Sequence, residues 1–351
     1  MFKKTNKWTD YQPPYRPAPE PARCLTRTQL FALAVPAAFA VYRFGLPALQ
    51  LMAAAAVTAL VTERIAIKFS HERSFGTTAH SIMMGLLLSF TLPAFCPWYL
   101  AVLGTVLAIA VGKHLFGGMG HYLWHPALVG RISLHLLFGR QLSAPTESLA
   151  SDMAGTAAPL EALRNFENLK ITENVPQLSQ YLLENLPSLE DCLWGRIPGG
   201  IGEICACVLI LLTLFWLYRG YVHWHLPAFF ILSAYITAAL CPIVTDLPEL
   251  ERHVIPWPIL AENLQTGLTY INYHILLGGM LLGAGILGTD MTSRPVTRRG
   301  QAIFALFAGC LTIIFRLYTT VALPCFTAIL IMNTFRPLID RFTRPPSKYT
   351  R

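Results

Sequence analysis

The chain has 351 residues, of which 54% are hydrophobic and 13% charged, against roughly 25% charged in soluble globular domains. A surface that faces only water needs more polar residues than this, so the composition excludes an ordinary soluble domain and points to lipid as part of the solvent. The net charge of +8 requires no nucleic acid, because a basic cytoplasmic rim facing anionic lipid accounts for it.

The first 27 residues, "MFKKTNKWTDYQPPYRPAPEPARCLTR", are basic and Pro-rich with no apolar core, and read as a retained cytoplasmic tail rather than a secretory signal. A spanning helix needs about 20 mostly apolar residues. On that criterion the sequence predicts helices near 28–43, 46–62, 79–96, 97–115, 126–139, 199–218, 223–242, 268–288, 301–316 and 319–335. The first, fifth and ninth are short or weak, so nine spans with a re-entrant segment is an open alternative to ten.

This reading gives an all-α polytopic membrane protein in five parts. They are a tail (1–27), a first membrane half (28–139), a long polar interval (140–198), a second membrane half (199–335) and a tail (336–351). The five-plus-five layout is compatible with an inverted repeat, although no internal self-similarity is visible.

Charge bias sets the orientation. Basic residues such as Lys3, Lys4, Lys7, Arg64, Lys68, Lys113, Arg294, Arg298, Arg299 and Arg341 fall on the side shared with the N-terminus. Glu147, Asp152, Glu161, Glu167, Glu190 and Asp191 fall on the other. Both termini are therefore expected in the cytoplasm. The eight cysteines lie mostly in apolar runs and read as packing residues, Cys205 and Cys207 included, rather than as a metal or disulfide framework.

Two stretches carry chemistry. In "GKHLFGGMGHYLWHPALVG", Gly112 to Gly130, Gly117, Gly118 and Gly120 free the backbone for tight turns or close ligand approach, and Trp124, His125 and Pro126 follow. It reads equally as an interfacial loop or as a ligand-lining loop that re-enters the membrane. His114, His121, His125 and His135 lack neighbouring Cys or carboxylate, and no metal is expected.

In "LLGAGILGTDMTSRPVTRRGQAIF", Leu281 to Phe304, Asp290 closes a Gly-rich span. An acid at that position marks an ion or ligand contact. Arg131, His135 and Glu203 invite the same question at lower weight, since each can reach the interface by snorkelling.

These stretches are similar to the RnfD/NqrB family. Met83 to Gly130, "MMGLLLSFTLPAFCPWYLAVLGTVLAIAVGKHLFGGMGHYLWHPALVG", resembles its "GLLL…P…PWW…GT…A…K…GG.G.N.FNPA" pattern. "GTDMTSRPVTRRGQAIFA" resembles "TDPVTA…T.RG…FG", and "AILIMNTFRPLIDRFTRP" resembles the closing "LL.N..VPLID..TRP". His125 stands where the family has Asn, and Met291 where it has Pro.

The resemblance implies a membrane subunit that works with other Rnf/Nqr-type subunits in the bacterial inner membrane. Such complexes couple electron transfer through flavin to Na⁺ or H⁺ translocation. It also implies FMN joined through its phosphate to a Thr in the extracytoplasmic interval and, in parts of the family, a second non-covalent flavin, which can be riboflavin.

Here "SDMAGTAAPL", Ser151 to Leu160, keeps the acid at Asp152 and the Pro-Leu exit, but Ala158 stands where the flavin-bearing Thr is expected. Thr156, two residues earlier, is the nearest hydroxyl, and attachment there needs a shift in register. Non-covalent or absent flavin therefore ranks above covalent FMN. A flavin held without the link would be contacted by Trp124, Tyr122, His125 and the Gly117–Gly120 backbone, while Asp290 is the expected ion-pathway residue. No catalytic residue is assigned to this chain alone. A flavin-free paralogue acting as a channel, transporter or structural subunit is the alternative.

Overall fold

The computed structural model describes residues 22–70, 77–143, 163, 178–197, 199–202, 205–245, 253–255, 257–260 and 263–343. Nearly all of this is helical. Helices α1 (Ala22–Ala32) and α2 (Ala34–Phe44) run together as one apolar stretch, Cys24–Phe44, which is long enough to cross a membrane. Helix α3 (Leu46–Ser70) is a second such stretch. Between them Gly45, at φ 68°, ends α2 by donating its N–H to Val41 O. Then follow α4 (Thr77–Phe90), α5 (Trp98–Leu107) with a π-helical continuation over Ala108–His114, and α6 (Pro126–Ser143).

Two short helices, α7 (Leu178–Asn185) and α8 (Leu189–Trp194), lie inside the long polar interval. Ser188 caps α8 by accepting from the Asp191 N–H. The second half contains α9 (Ala206–Tyr218), α10 (His225–Leu240), α11 (Leu264–Leu276) and α12 (Met280–Leu282), the last continued by a π-helical stretch over Gly283–Leu287. It closes with α13 (Arg298–Tyr318), the third long apolar helix, and α14 (Pro324–Thr343). The chain is thus a multi-pass membrane protein.

Three features depart from the expected elements. A two-stranded antiparallel hairpin, β1 (Ile243–Thr245) with β2 (His253–Ile255), interrupts the otherwise all-helical chain. The helix expected over 268–288 is bent by 59° between Leu276 and Met280, where Gly278 and Gly279 adopt left-handed φ values of the kind found at helix ends. The last helix starts late, at Pro324, a residue suited to a first turn, and runs to Thr343 with Pro337 inside it.

In hydrocarbon no water rescues a freed carbonyl, so each break needs internal donors. After α4 the chain turns at Phe90–Pro97. There Gly202 N–H donates to Phe90 O (2.8 Å), Ile201 N–H to Leu92 O (2.9 Å) and Cys96 N–H to Pro93 O (3.0 Å). Arg131 Nε on α6 donates to Thr91 O at 2.9 Å. After α11 a single guanidinium on α13 does the corresponding work, with Arg316 donating to the carbonyls of His274, Leu277 and Gly278.

The halves are built by close helix packing. A Cβ on Gly309 of α13 would lie 2.2 Å from Phe230 O and 2.1 Å from Ser233 Oγ of α10, so these helices meet backbone to backbone, as small residues allow in membranes. Helix α14 crosses to pack on α6. Large apolar side chains such as Phe31, Val57, Phe69, Leu136 and Phe307 stay exposed on the outer faces, which is where lipid or another subunit replaces water.

Candidate functional site

The site forms where both halves end in similar local structure. Each of the two π-helical stretches runs directly into an irregular loop, 115–125 or 288–297. A π turn carries one extra residue per turn and so redirects the side chains that follow it. In the first loop Gly117, Gly118 and Gly120 take φ values of 102°, 84° and 92°, a region that L side chains avoid. That course swings Tyr122 back under the helices, where it is fully buried.

The loops are joined by Tyr122, whose hydroxyl donates to Asp290 Oδ2 at 2.9 Å. The same carboxylate oxygen accepts from the N–H groups of Thr292 (3.2 Å) and Ser293 (3.1 Å). On its other side the Tyr122 hydroxyl meets His80 Nε2 of α4 at 3.1 Å. Helix α14 completes the junction. Asn333, buried, donates through its amide to Ser293 O and accepts from the His125 N–H, each at 3.2 Å. Thr334 Oγ1 accepts from Trp124 Nε1 at 2.8 Å, and Asp340 Oδ1 accepts from the Val296 N–H at 2.9 Å.

A second polar group lies one residue along α4. Glu63 and Lys113, both fully buried, pair at 2.8 Å. Lys113 Nζ also donates to Ser81 Oγ at 2.7 Å, and Glu63 Oε2 lies 2.7 Å from His114 Nε2. A charge pair taken out of water persists only with close geometry and further hydrogen bonds, and both are present. Towards the exposed edge, His223 is held below the usual imidazole range by burial and then by the charges of Arg294, Arg298 and His225.

The sequence-derived candidates separate into four groups. Asp290 and His125 sit in the junction, His125 fully buried with neither ring nitrogen hydrogen-bonded among the described residues. Gly117, Gly118, Gly120 and Trp124 shape its entry loop. Arg131 holds the turn after α4, and His135 lies further along α6 beside Gly139. Asp152, Thr156, Ala158 and Glu203 fall outside the described residues.

Sequence reasoning missed Glu63, His80 and Ser81, and counted Lys113 among the basic residues of the cytoplasmic rim, whereas it is buried in an ion pair. An acid inside the apolar run "VTALVTERIAI", Val57 to Ile67, was the available signal, since intramembrane acids demand a partner.

The three stretches that converge here are those whose motifs resembled one family, and the whole-chain comparison agrees. The sequence matches the NQR2, RnfD, RnfE family over residues 11–348. The chain belongs to that family. Among its relatives, the D-type subunit of the Na⁺-translocating ferredoxin:NAD⁺ oxidoreductase complex of Acetobacterium woodii is 32% identical over 320 residues, covering 90% of this chain and 87% of that one. The corresponding protein of the proton-translocating ferredoxin:NAD⁺ oxidoreductase complex of Clostridium ljungdahlii is 31% identical over 352 residues, covering 99% and 98%. That of an ion-translocating oxidoreductase complex of Halorhodospira halophila is 32% identical, covering 95% and 93%.

The junction itself does not fit a flavin ring. Tyr122 is buried with its hydroxyl engaged, His125 is buried, and Trp124 stands edge-on to Phe116 at 5.3 Å with its N–H bound to Thr334. Bonded in this way, the described groups can hold a half-buried negative charge and exchange protons along hydrogen bonds.

Proposed function

We propose that this chain is the D-type membrane subunit of an ion-translocating oxidoreductase complex in the bacterial inner membrane. It works with the other Rnf/Nqr-type subunits to couple electron transfer through flavin to movement of Na⁺ or H⁺. The observation that carries the reading is the family match along residues 11–348, whose three motif stretches converge around one half-buried carboxylate, Asp290.

In this reading the chain spans the membrane ten times with both termini cytoplasmic. The spans are 24–44, α3, α4, α5 with its π continuation, α6, α9, α10, the bent pair 264–287, α13 and α14. Reversal of direction at each span puts both loops of the junction on the cytoplasmic side and the interval 140–198 outside. The two breaks are alike in having an arginine from a later helix on their carbonyls, although the first lies between two spans and the second within one.

Covalent FMN, if this chain carries it, belongs on Thr156, beside Asp152 in the interval that this topology puts outside. Ala158, which lacks an oxygen for a phosphoester, favours a second reading in which the chain is a flavin-free paralogue. In-gel fluorescence of the denatured protein, co-expressed with its flavin transferase, separates the two. A fluorescent band lost on Thr156→Ala places FMN at that hydroxyl. Absence of a band, together with release of no flavin from the native preparation, favours the flavin-free reading.

The coupling role is tested by reconstituting the complex that co-purifies with this chain and measuring donor-driven ion uptake. Asp290→Asn is expected to remove ion uptake while the complex still assembles. Full uptake in that variant removes Asp290 from the pathway.

A further inference from the structure

Resting on that reading of Asp290, we infer that the ion handled at this junction is the proton, carried along the chain His80, Tyr122, Asp290. Three independent observations bear on it. The first is continuity: His80 Nε2, the Tyr122 hydroxyl and Asp290 Oδ2 are spaced at 3.1 Å and 2.9 Å, all within hydrogen-bond reach, and Tyr122 is buried with no exposed surface. A phenol between an imidazole and a carboxylate both accepts and donates, so one proton can be exchanged for another without any heavy atom moving far.

The second observation is the surroundings of the carboxylate. Asp290 Oδ2 accepts from an O–H and two backbone N–H groups. A hard cation needs a shell of oxygen acceptors, and hydrogens pointing at the carboxylate supply the opposite. The neighbouring side chains are imidazoles, which suit protons and softer metals rather than alkali ions.

Third, buried imidazole nitrogens stand ready at the chain's ends. His80 Nδ1 and both ring nitrogens of His125 have no hydrogen-bond partner among the described residues, although both side chains are buried. Buried polar groups in native structures are nearly always satisfied, so such exceptions ask for a function.

A proton arrives at His80 Nδ1. The Nε2 proton passes to the Tyr122 oxygen while the phenol's own proton passes to Asp290 Oδ2. His80 is left neutral with its proton on Nδ1, Tyr122 remains a neutral phenol, and Asp290 is a neutral acid. Loss of that proton from Asp290 and rotation of the Tyr122 hydroxyl reset those two groups, and His80 resets when its ring turns from Tyr122 and exchanges its Nδ1 proton for one on Nε2, with no net gain or loss of protons.

No electron moves in this step. The electric setting comes from Lys113 and Glu63 on the side of His80, and from Arg294 and Arg336 on the side of Asp290 and Tyr122. The Lys113–Glu63 pair, anchored on Ser81 next to His80, carries no net charge and leaves the relay's own charge to vary.

The test uses the intact complex in proteoliposomes, driven by its electron donor, with a pH-sensitive dye and radioactive sodium followed in parallel. Acidification is expected in sodium-free buffer, abolished by a protonophore, with no sodium accumulation. Tyr122→Phe keeps the ring and removes the exchangeable proton. It should lower acidification by about 10²-fold, the scale of one positioned proton-transfer group, and His80→Gln should do the same. The parent rate should fall in D2O, while the residual rate of either variant should not.

Sodium accumulation that needs sodium for turnover overturns the proton assignment and leaves the subunit reading standing. Undiminished acidification in Tyr122→Phe, or in His80→Gln where the first variant does not assemble, overturns the relay. Donor oxidation with neither ion moved overturns the subunit reading and the inference with it.

Discussion

The turn after α4 and the bend after α11 solve the same problem with different amounts of wiring. The first is held by backbone N–H groups of the strand-like segment 199–202, by its own local turn and by Arg131. At the second, three carbonyls converge on one guanidinium. Backbone partners are fixed by the path of the chain, whereas a side-chain partner can be lost in a single substitution. The comparison teaches that the first half tolerates change at its break and the second does not.

The largest effect should therefore come from Arg316→Met. The carbonyls of His274, Leu277 and Gly278 lose charge-assisted donors, each worth about 1.5–3 kcal/mol, and non-additivity brings the expected loss to about 3–5 kcal/mol, the range for breaking a buried charged network. Thermal unfolding of the detergent-purified protein measures it. A loss no greater than that of the equivalent change at Arg131 contradicts the comparison.

Arg131→Met should cost about 1.5–3 kcal/mol by the same measurement, because Thr91 O loses a charged donor while the neighbouring carbonyls keep their backbone partners. Gly202→Ala probes those backbone partners directly. An added Cβ would lie 2.3 Å from Phe90 Cβ, so the segment must draw back from the turn. Overpacking of this kind costs about 1–3 kcal/mol. Combining Gly202→Ala with Arg131→Met should exceed the sum of the two, since each then removes the other's substitute.

How much of this was legible in the sequence depends on the interaction involved. Apolar runs are local, so the helices of both halves could be read close to where they occur. An acid closing a Gly-rich span singled out Asp290, and the loop glycines marked a place where the backbone turns sharply. The meeting of those stretches was not legible, because Tyr122 and Asp290 are 168 residues apart and nothing in either motif names the other.

Glu63 and Lys113 were hidden for a related reason. Each has a bland reading as a charge near a helix end, and only their pairing in space shows both to be buried. Arg131 was suspected as a functional charge, yet its observed contact is with a backbone carbonyl that only the turn after α4 exposes.

The smallest expected effect sharpens the comparison from the side of backbone geometry. Gly278 and Gly279 lie at φ 64° and 67°, whereas none of the left-handed glycines lies between 90 and 97, where Pro93 and Pro97 shape the turn. Gly278→Ala places a Cβ in a left-handed conformation and should cost about 1–2 kcal/mol, below the loss for Arg316→Met. The Gly278 carbonyl still points at the guanidinium, so the strain is borne by a break that remains bonded. If the bend is set by those carbonyl contacts, Gly278→Ala keeps it and lowers stability alone, which spin-label distances between α11 and the 280–287 stretch can check. A changed distance at unchanged stability shows instead that the glycine pair sets the bend, with Arg316 only filling the space it opens.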